Sequence, residues 1–154
     1  MPIDLHLHTH HSDGTFAPEE VIRRAKSLKM TTISITDHDA LSALPAARRA
    51  AGEDLEILTG IELTAASHDR ELHVLGYGFR DEDLDMQDYI RRAQERRHGR
   101  IHLMIDQLNA RGIEVTRAEV EKIAGEATSI GRPHLAEALL QRGVVHSLNE
   151  AFDR

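Results

Sequence analysis

Polar and apolar residues alternate at the start of the chain, which predicts a β-strand over residues 3–9. Ile3, Leu5 and Leu7 fall on one face of this strand, and acidic and histidine side chains fall on the other. Beyond it, helical and extended patterns follow one another. They predict a helix from residue 18, a strand at 31–36, a helix at 41–51, a strand at 56–61 and extended pieces at 62–66 and 72–77. This order is typical of an α/β fold with a parallel sheet and right-handed crossovers.

The pattern changes near residue 80, where helical periodicity replaces the strands. A long helix is predicted over 81–111, and Gly99 is the residue expected to interrupt it. Three shorter helices are predicted over 116–124, 132–142 and 147–153, with glycines between them. We therefore interpret residues 1–79 as the part that carries the sheet and residues 80–154 as an all-helical insertion subdomain.

The composition excludes several classes of site and partner. The 154 residues include no cysteine, which rules out disulfides, zinc–thiolate sites and thiol nucleophiles. A net charge of -7 argues against sequence-independent binding to nucleic acid through a basic surface. No stretch approaches the roughly 20 apolar residues that cross a bilayer. Because no leader-like segment opens the chain, a cytoplasmic protein without membrane association is expected.

Histidine is the unusual residue of this sequence, with eleven copies, several of them clustered early in the chain. Histidine is the commonest metal ligand, and His6 and His8 lie two apart on one strand, so they share a face. Functional groups of parallel α/β folds gather at the carboxyl ends of the strands. The residues expected to join the two histidines there are Asp13, Asp37, His38, Glu62 and His73.

These ligand types indicate the chemistry of the predicted site. Imidazoles and carboxylates without thiolates suit Mn, Fe or Zn with open coordination positions. A carboxylate such as Glu62 can bridge two ions. Two ions roughly 3.5–4 Å apart stabilise the attacking and leaving oxygens of a phosphoryl displacement and lower the pKa of a shared water toward 7. The cluster therefore predicts hydrolysis of phosphate esters by metal-activated hydroxide.

Five short motifs carry a resemblance to a known family. They are residues 4–9 (DLHLHT), 12–14 (SDG), 36–39 (TDHD), 60–62 (GIE) and 73–77 (HVLGY). Together they resemble the polymerase-and-histidinol-phosphatase (PHP) family of phosphoesterases. The resemblance implies that this chain is the first part of a distorted (β/α)7 barrel holding two or three divalent ions. The metal ligands that it implies are His6, His8, Asp13, His38, Glu62 and His73.

The resemblance also assigns roles beyond coordination. Asp13, Glu62 and Asp37 are the implied catalytic residues, and Asp37 is expected to orient an imidazole through a hydrogen bond. The helical part and residues 131–134 (GRPH) resemble the branch that acts on nucleotide 3′,5′-bisphosphates and RNA 5′ ends. Arg132 and His134 are therefore expected to bind substrate phosphate at a helix start. The alternative is that these residues only begin a helix, because Pro133 suits the first helical turn.

The sequence departs from the family pattern at later positions. The family draws further ligands from an Ala-His-Pro strand and a terminal Asp-x-His motif, and neither is present in this sequence. We therefore expect weak metal binding, little activity, and either self-association through an exposed sheet edge or marginal stability. Two rival interpretations stay open, a non-catalytic metal-binding or interaction module and an amidohydrolase. The amidohydrolase would need a strand lysine, whereas Lys26, Lys29 and Lys122 lie on predicted helices.

Overall fold

The fold was analysed in a computed structural model that describes residues 2–67 and 70–153. The first part of the chain alternates strands and helices as predicted. Its elements are β1 (Ile3–Leu7), α1 (Pro18–Ser27), β2 (Thr32–Ile35), α2 (Leu44–Ala51) and β3 (Glu56–Ile57). All three strands are parallel, in the order β1-β2-β3. The predicted mixed α/β fold is therefore confirmed.

The apolar faces of α1 and α2 pack on this sheet and form its core. Ile33 and Ile35 of β2 are almost completely buried, as is Ile22 of α1. Alanines on α2 and a leucine before β3 complete the same cluster. Because β2 lies between two strands, its carboxyl end is held firmly, and residues 36–39 leave it as a buried loop.

A β-hairpin follows the sheet and corrects one prediction. The strand predicted over residues 56–61 is two strands, β3 and then β4 (Gly60–Ser67), and β4 pairs antiparallel with β5 (Arg70–Tyr77). Glu62 is thus the third residue of a hairpin strand rather than the end of a parallel strand. One parallel bridge between His38 and Glu62 connects the hairpin to the loop after β2. The hairpin is also tied to β1, where the Tyr77 hydroxyl donates to the Leu5 carbonyl at 2.7 Å.

A close contact with β2 and the loop after it explains why the first residue of the hairpin is a glycine. A Cβ at Gly60 would lie 2.0 Å from Ser34 Oγ and 3.0 Å from Thr36 Cγ2. Any larger residue would therefore push the hairpin away from β2. This contact holds Glu62 at the edge where the parallel strands end.

The rest of the described chain is helical, as predicted. The helices are α3 (Leu84–Ala110), α4 (Arg117–Ala124), α5 (Arg132–Gln141) and α6 (Leu148–Asp153). The expected interruption at Gly99 is wrong, because α3 runs through it without a break. Asp83 caps the start of α3, and Thr116 forms a capping box with Glu119 at the start of α4. A second apolar cluster joins α3, α4 and α5.

A buried ion pair joins the helical part to the strand ends. Arg97 belongs to a run of arginines on α3, but it is 6% exposed and donates from Nε to Asp39 Oδ2 at 2.6 Å. Asp39 is fully buried and also accepts from the backbone and hydroxyl of Thr64 in β4. Arg97 therefore lies in the protein interior, whereas its neighbour Arg96 is exposed.

Within residues 2–67 and 70–153, no helix combines the length and the apolar character that a bilayer span requires.

Candidate metal centre

Glu62 is the residue on which four imidazoles converge. Its Oε2 lies 3.0 Å from the Nε2 atoms of both His6 and His8 and 3.7 Å from His38 Nδ1. Its Oε1 lies 2.8 Å from His73 Nδ1. The four rings come from β1, from the loops that follow β1 and β2, and from β5. The structure therefore brings together residues that are up to 67 positions apart in the sequence.

Asp13 provides a second carboxylate on the other side of the same rings. Its Oδ1 is 3.3 Å from His8 Nδ1, and its Oδ2 is 3.3 Å from His38 Nε2. The loop that carries it turns back after β1 through bonds from the Ser12 and Gly14 N–H groups to the Thr9 carbonyl. This turn returns Asp13 to the strand it has just left.

Donor atoms of these residues form three overlapping groups, each compact enough for one cation. Within each group the candidate atoms lie within 4.8 Å of one another. The groups are His6 with His8 and Glu62, His8 with Asp13 and His38, and His38 with Glu62 and His73. Since His8, His38 and Glu62 each belong to two groups, ions bound here would be adjacent. All six predicted ligands are brought together.

A buried nitrogen tests whether the cluster fits a cation. His38 Nδ1 is inaccessible to solvent, and no described residue forms a hydrogen bond with it. A buried polar atom without a partner is costly in a folded protein. A divalent ion in the group of His38, Glu62 and His73 would satisfy it. The mixed nitrogen and oxygen donors also match the preferences of Mn, Fe and Zn.

The electrostatics keep the carboxylates ionised. Burial raises the pKa of Asp13, but hydrogen bonds from His38 and His8 and their charges outweigh it and hold that pKa far below its usual range. Burial also raises the pKa of Glu62, and the four imidazoles lower it overall. Burial lowers the pKa of His8, yet Asp13 and Glu62 raise it overall. A bound cation would therefore replace a proton that the His8 imidazole otherwise holds.

Asp37 does not act as predicted. Its buried carboxylate accepts from the Thr9 N–H at 2.7 Å, the Thr9 hydroxyl at 2.6 Å and the Ser12 hydroxyl at 2.7 Å. Among the described residues, Asp37 does not form the expected hydrogen bond to an imidazole. Ser12 bridges it to His8, because Ser12 Oγ lies 3.4 Å from His8 Nδ1, and the charge of Asp37 also helps to raise the pKa of His8. Asp37 therefore fixes the loop that carries Asp13.

Comparison with known proteins identifies the family. The PHP domain model matches residues 4–111, about two thirds of the chain and all six converging residues. The chain belongs to the PHP domain family. Among curated relatives, it is 30% identical over 154 residues to the 5′-3′ exoribonuclease Rnm of Salmonella typhimurium. It is also 30% identical over 151 residues to the 3′,5′-nucleoside bisphosphate phosphatase of Chromobacterium violaceum.

Coverage and solved structures define how far this likeness extends. The alignments cover 98% and 97% of this PHP chain but only 52% and 53% of those two relatives, so the chain spans about half their length. An amidohydrolase from Chromobacterium violaceum, solved with sulfate and no metal, superposes with a TM-score of 0.90 at 29% identity, covering 99% of this chain and 54% of that one. A Bifidobacterium adolescentis protein assigned as a metal-dependent phosphoesterase superposes with a TM-score of 0.87 at 30% identity. This match covers 98% of this chain and 54% of that one.

His134 and Arg132 differ in what they contact. His134 Nδ1 accepts from the Gly131 N–H at 3.0 Å, the ring has a backbone hydrogen bond to Ser12, and burial lowers its pKa. This imidazole holds the start of α5 against the Asp13 loop of the PHP domain. Arg132 is half-exposed, with Nη2 3.9 Å from Glu71 Oε1. Substrate binding by either residue stays a prediction.

Sequence reasoning missed a group of charged residues around the His73 end of the centre. Glu71 Oε1 lies 3.3 Å from His73 Nε2, and its other oxygen forms an ion pair with Arg100. Glu71 had a usable signal, because it lies two residues before His73 and so shares its strand face. Arg100 could not be singled out in this way, since it belongs to a run of arginines on α3. The exposed and buried members of this run look alike in the sequence.

The remaining early histidines lie apart from the three groups. His10 and His11 stack with ring centroids 4.9 Å apart, His10 Nε2 lies 3.3 Å from Glu126, and His11 bonds Ser42. They connect the Asp13 loop to the helical part. His68, also considered from the sequence, lies outside the described residues.

The loop glycine beside Asp13 gives a testable prediction. A Cβ at Gly14 would lie 2.5 Å from the His8 carbonyl oxygen, so Gly14→Ala must displace the loop. We expect a loss of about 1–3 kcal/mol of folding stability from overpacking, together with weaker metal binding. Urea denaturation and a metal titration measure the two effects.

Gly99→Ala is the matched control for this change. Nothing lies within 4 Å of a Cβ at Gly99, which is inside α3. Alanine there should stabilise the protein by up to about 1 kcal/mol and leave metal binding unchanged. Equal behaviour of the two variants would contradict the packing argument.

Proposed function

We propose that this PHP chain belongs to a metal-dependent phosphoesterase that hydrolyses phosphate monoesters of nucleotide 3′,5′-bisphosphates or of RNA 5′ ends. The observation that carries the proposal is the convergence of four imidazoles on Glu62, with Asp13 completing a second group. The two curated relatives, an exoribonuclease and a bisphosphate phosphatase, support this substrate range. The chain covers only half of each relative, so the complete activity belongs to the proposal.

The proposed cofactors are two or three divalent ions, Mn, Fe or Zn, held by the three donor groups. When bound, such ions activate water and offset charge on a phosphate. The residues of this chain do the rest. Glu62 and Asp13 hold the imidazoles in place, and Asp37 fixes the Asp13 loop through Thr9 and Ser12.

Arg132 is proposed to bind a second, non-reacting phosphate. Its half-exposed guanidinium lies at the His73 end of the centre, near Arg100, which is one-third exposed. A guanidinium presents paired donors that suit phosphate oxygens. A bisphosphate would then have one phosphate at the imidazole cluster and one at the arginines.

The exposed edge supports the proposed self-association of the isolated chain. Among the described strands β1 pairs only with β2, and Ile3 of β1 is 57% exposed. Leu72 and Val74 of β5 are each about half exposed. Unpaired strand edges with apolar side chains promote association between copies.

One experiment separates the proposed function from its rivals. The chain is incubated with Mn²⁺ and adenosine 3′,5′-bisphosphate, a 5′-phosphorylated RNA or a cyclic amide, and released phosphate and opened amide are measured. Slow, Mn²⁺-dependent phosphate release supports the proposal. Amide opening alone would favour the amidohydrolase, for which no lysine lies on a described strand. Metal binding without turnover of any substrate would favour the non-catalytic module.

A further inference from the structure

We propose that Glu71 is a specificity-determining residue, whose carboxylate occupies the anion position between Arg100 and Arg132 until a substrate phosphate displaces it. This inference rests on the proposed function, since it concerns the phosphate that is not cut. The inference goes beyond that function, because it assigns a carboxylate of the protein itself as a competitor of the substrate phosphate for the two arginines.

The contacts of Glu71 carry the argument. One of its oxygens forms an ion pair with Arg100 Nη1. The other lies 3.9 Å from Arg132 Nη2 and 3.3 Å from His73 Nε2. A single carboxylate thus faces two guanidinium groups and one imidazole, as a phosphate placed there would.

The two arginines need an anion between them. Arg100 is partly buried, and both burial and the neighbouring charge of Arg132 lower its pKa. Its Nε is buried and has no hydrogen-bond partner among the described residues. Two like charges with an unused donor form an anion site rather than a closed ion pair. Glu71 neutralises only one of the two charges.

A phosphate dianion would fill this position better than the carboxylate does. It carries more charge and offers three oxygens, which matches two guanidinium forks. A substrate with a second phosphate would displace Glu71, whereas a monophosphate would leave the carboxylate in place. While it occupies this position, Glu71 also contacts His73 Nε2, which leaves Nδ1 facing Glu62. Selection between bisphosphate and monophosphate follows from this competition.

The test titrates metal-free chain with inorganic sulfate and follows backbone amide shifts at the start of α5 by NMR. Glu71→Gln keeps the shape but removes the competing charge, so sulfate should bind about tenfold tighter, the scale of one charge-assisted contact. Glu71→Asp keeps the negative charge but holds it farther from the arginines, so this variant should also bind sulfate more tightly than wild type. This second variant keeps the test decisive if glutamine disturbs the hairpin.

Two further variants separate the proposed site from a general charge effect. Glu121→Gln makes the same charge change on an exposed part of α4 and should leave sulfate affinity unchanged. Arg132→Ala combined with Glu71→Gln should remove the gain. Equal binding by wild type and both Glu71 variants, or a gain that persists without Arg132, would overturn the proposal. Because no metal and no turnover are involved, this result is independent of whether the chain cleaves phosphate esters.

Discussion

Glu62→Gln is expected to weaken metal binding sharply and to remove any metal-dependent activity, while the chain stays folded. Glutamine has nearly the same shape, so the hairpin contacts are preserved. It lacks the charge that faces His6, His8, His38 and His73, and its amide nitrogen cannot serve as a ligand. Loss of residues that merely support ligands lowers affinity about 10–100-fold, so loss of this carboxylate should exceed about 100-fold.

Competition for Mn²⁺ or Zn²⁺ against a chromophoric chelator measures this effect. Glu56→Gln is the control, because Glu56 lies on the neighbouring strand β3 and, among the described residues, its carboxylate accepts one hydrogen bond, from the Thr32 hydroxyl at 2.8 Å. The control should bind metal like wild type. Retention of wild-type affinity in Glu62→Gln would show that the four imidazoles do not share a cation through this carboxylate.

Arg97→Met is expected to cost about 3–5 kcal/mol of folding stability, the largest stability effect of any single change discussed here. Methionine fills much of the space but leaves the fully buried Asp39 carboxylate without its charged partner. Asp39 keeps its hydrogen bonds from the backbone and hydroxyl of Thr64, which reduce the destabilisation but do not abolish it. Urea denaturation measures the difference in the free energy of unfolding.

A double variant distinguishes the ion pair from simple packing. Arg97→Met with Asp39→Asn removes both charges, so it should be less destabilised than the sum of the two single variants. Arg96→Met is the surface control. Arg96 is exposed beside Tyr89 and should change stability by no more than about 1 kcal/mol. Additive losses in the double variant would contradict a coupled pair.

The parallel sheet and the six converging residues could be predicted because short-range patterns encode them. Alternation over residues 3–9 separates Leu5 and Leu7 from His6 and His8, and it also places both imidazoles on one face. The β-branched run of β2 marks a buried strand, so its carboxyl end is a predictable place for His38. Local periodicity is enough to fix these positions.

The hairpin could not be separated from the preceding strand in the same way. Residues 56–61 (EILTGI) have one strand-like pattern, and the reason for the break at Gly60 is a close contact with Ser34, 26 positions earlier. Likewise, nothing local distinguishes Arg97 from the exposed arginines around it on α3. Its partner Asp39 is 58 positions away. Packing between distant segments decided both features.

The hairpin and the parallel sheet have different folding routes, and the centre spans both. A hairpin closes by contacts between near neighbours in about 1–10 μs, whereas parallel strands pair only after longer loops have closed. His73 and Glu62 therefore become ordered in one unit, and His6, His8 and His38 in another. A cation that needs donors from both can bind only after the units dock, so its binding energy favours the docked state over any intermediate in which they are separate.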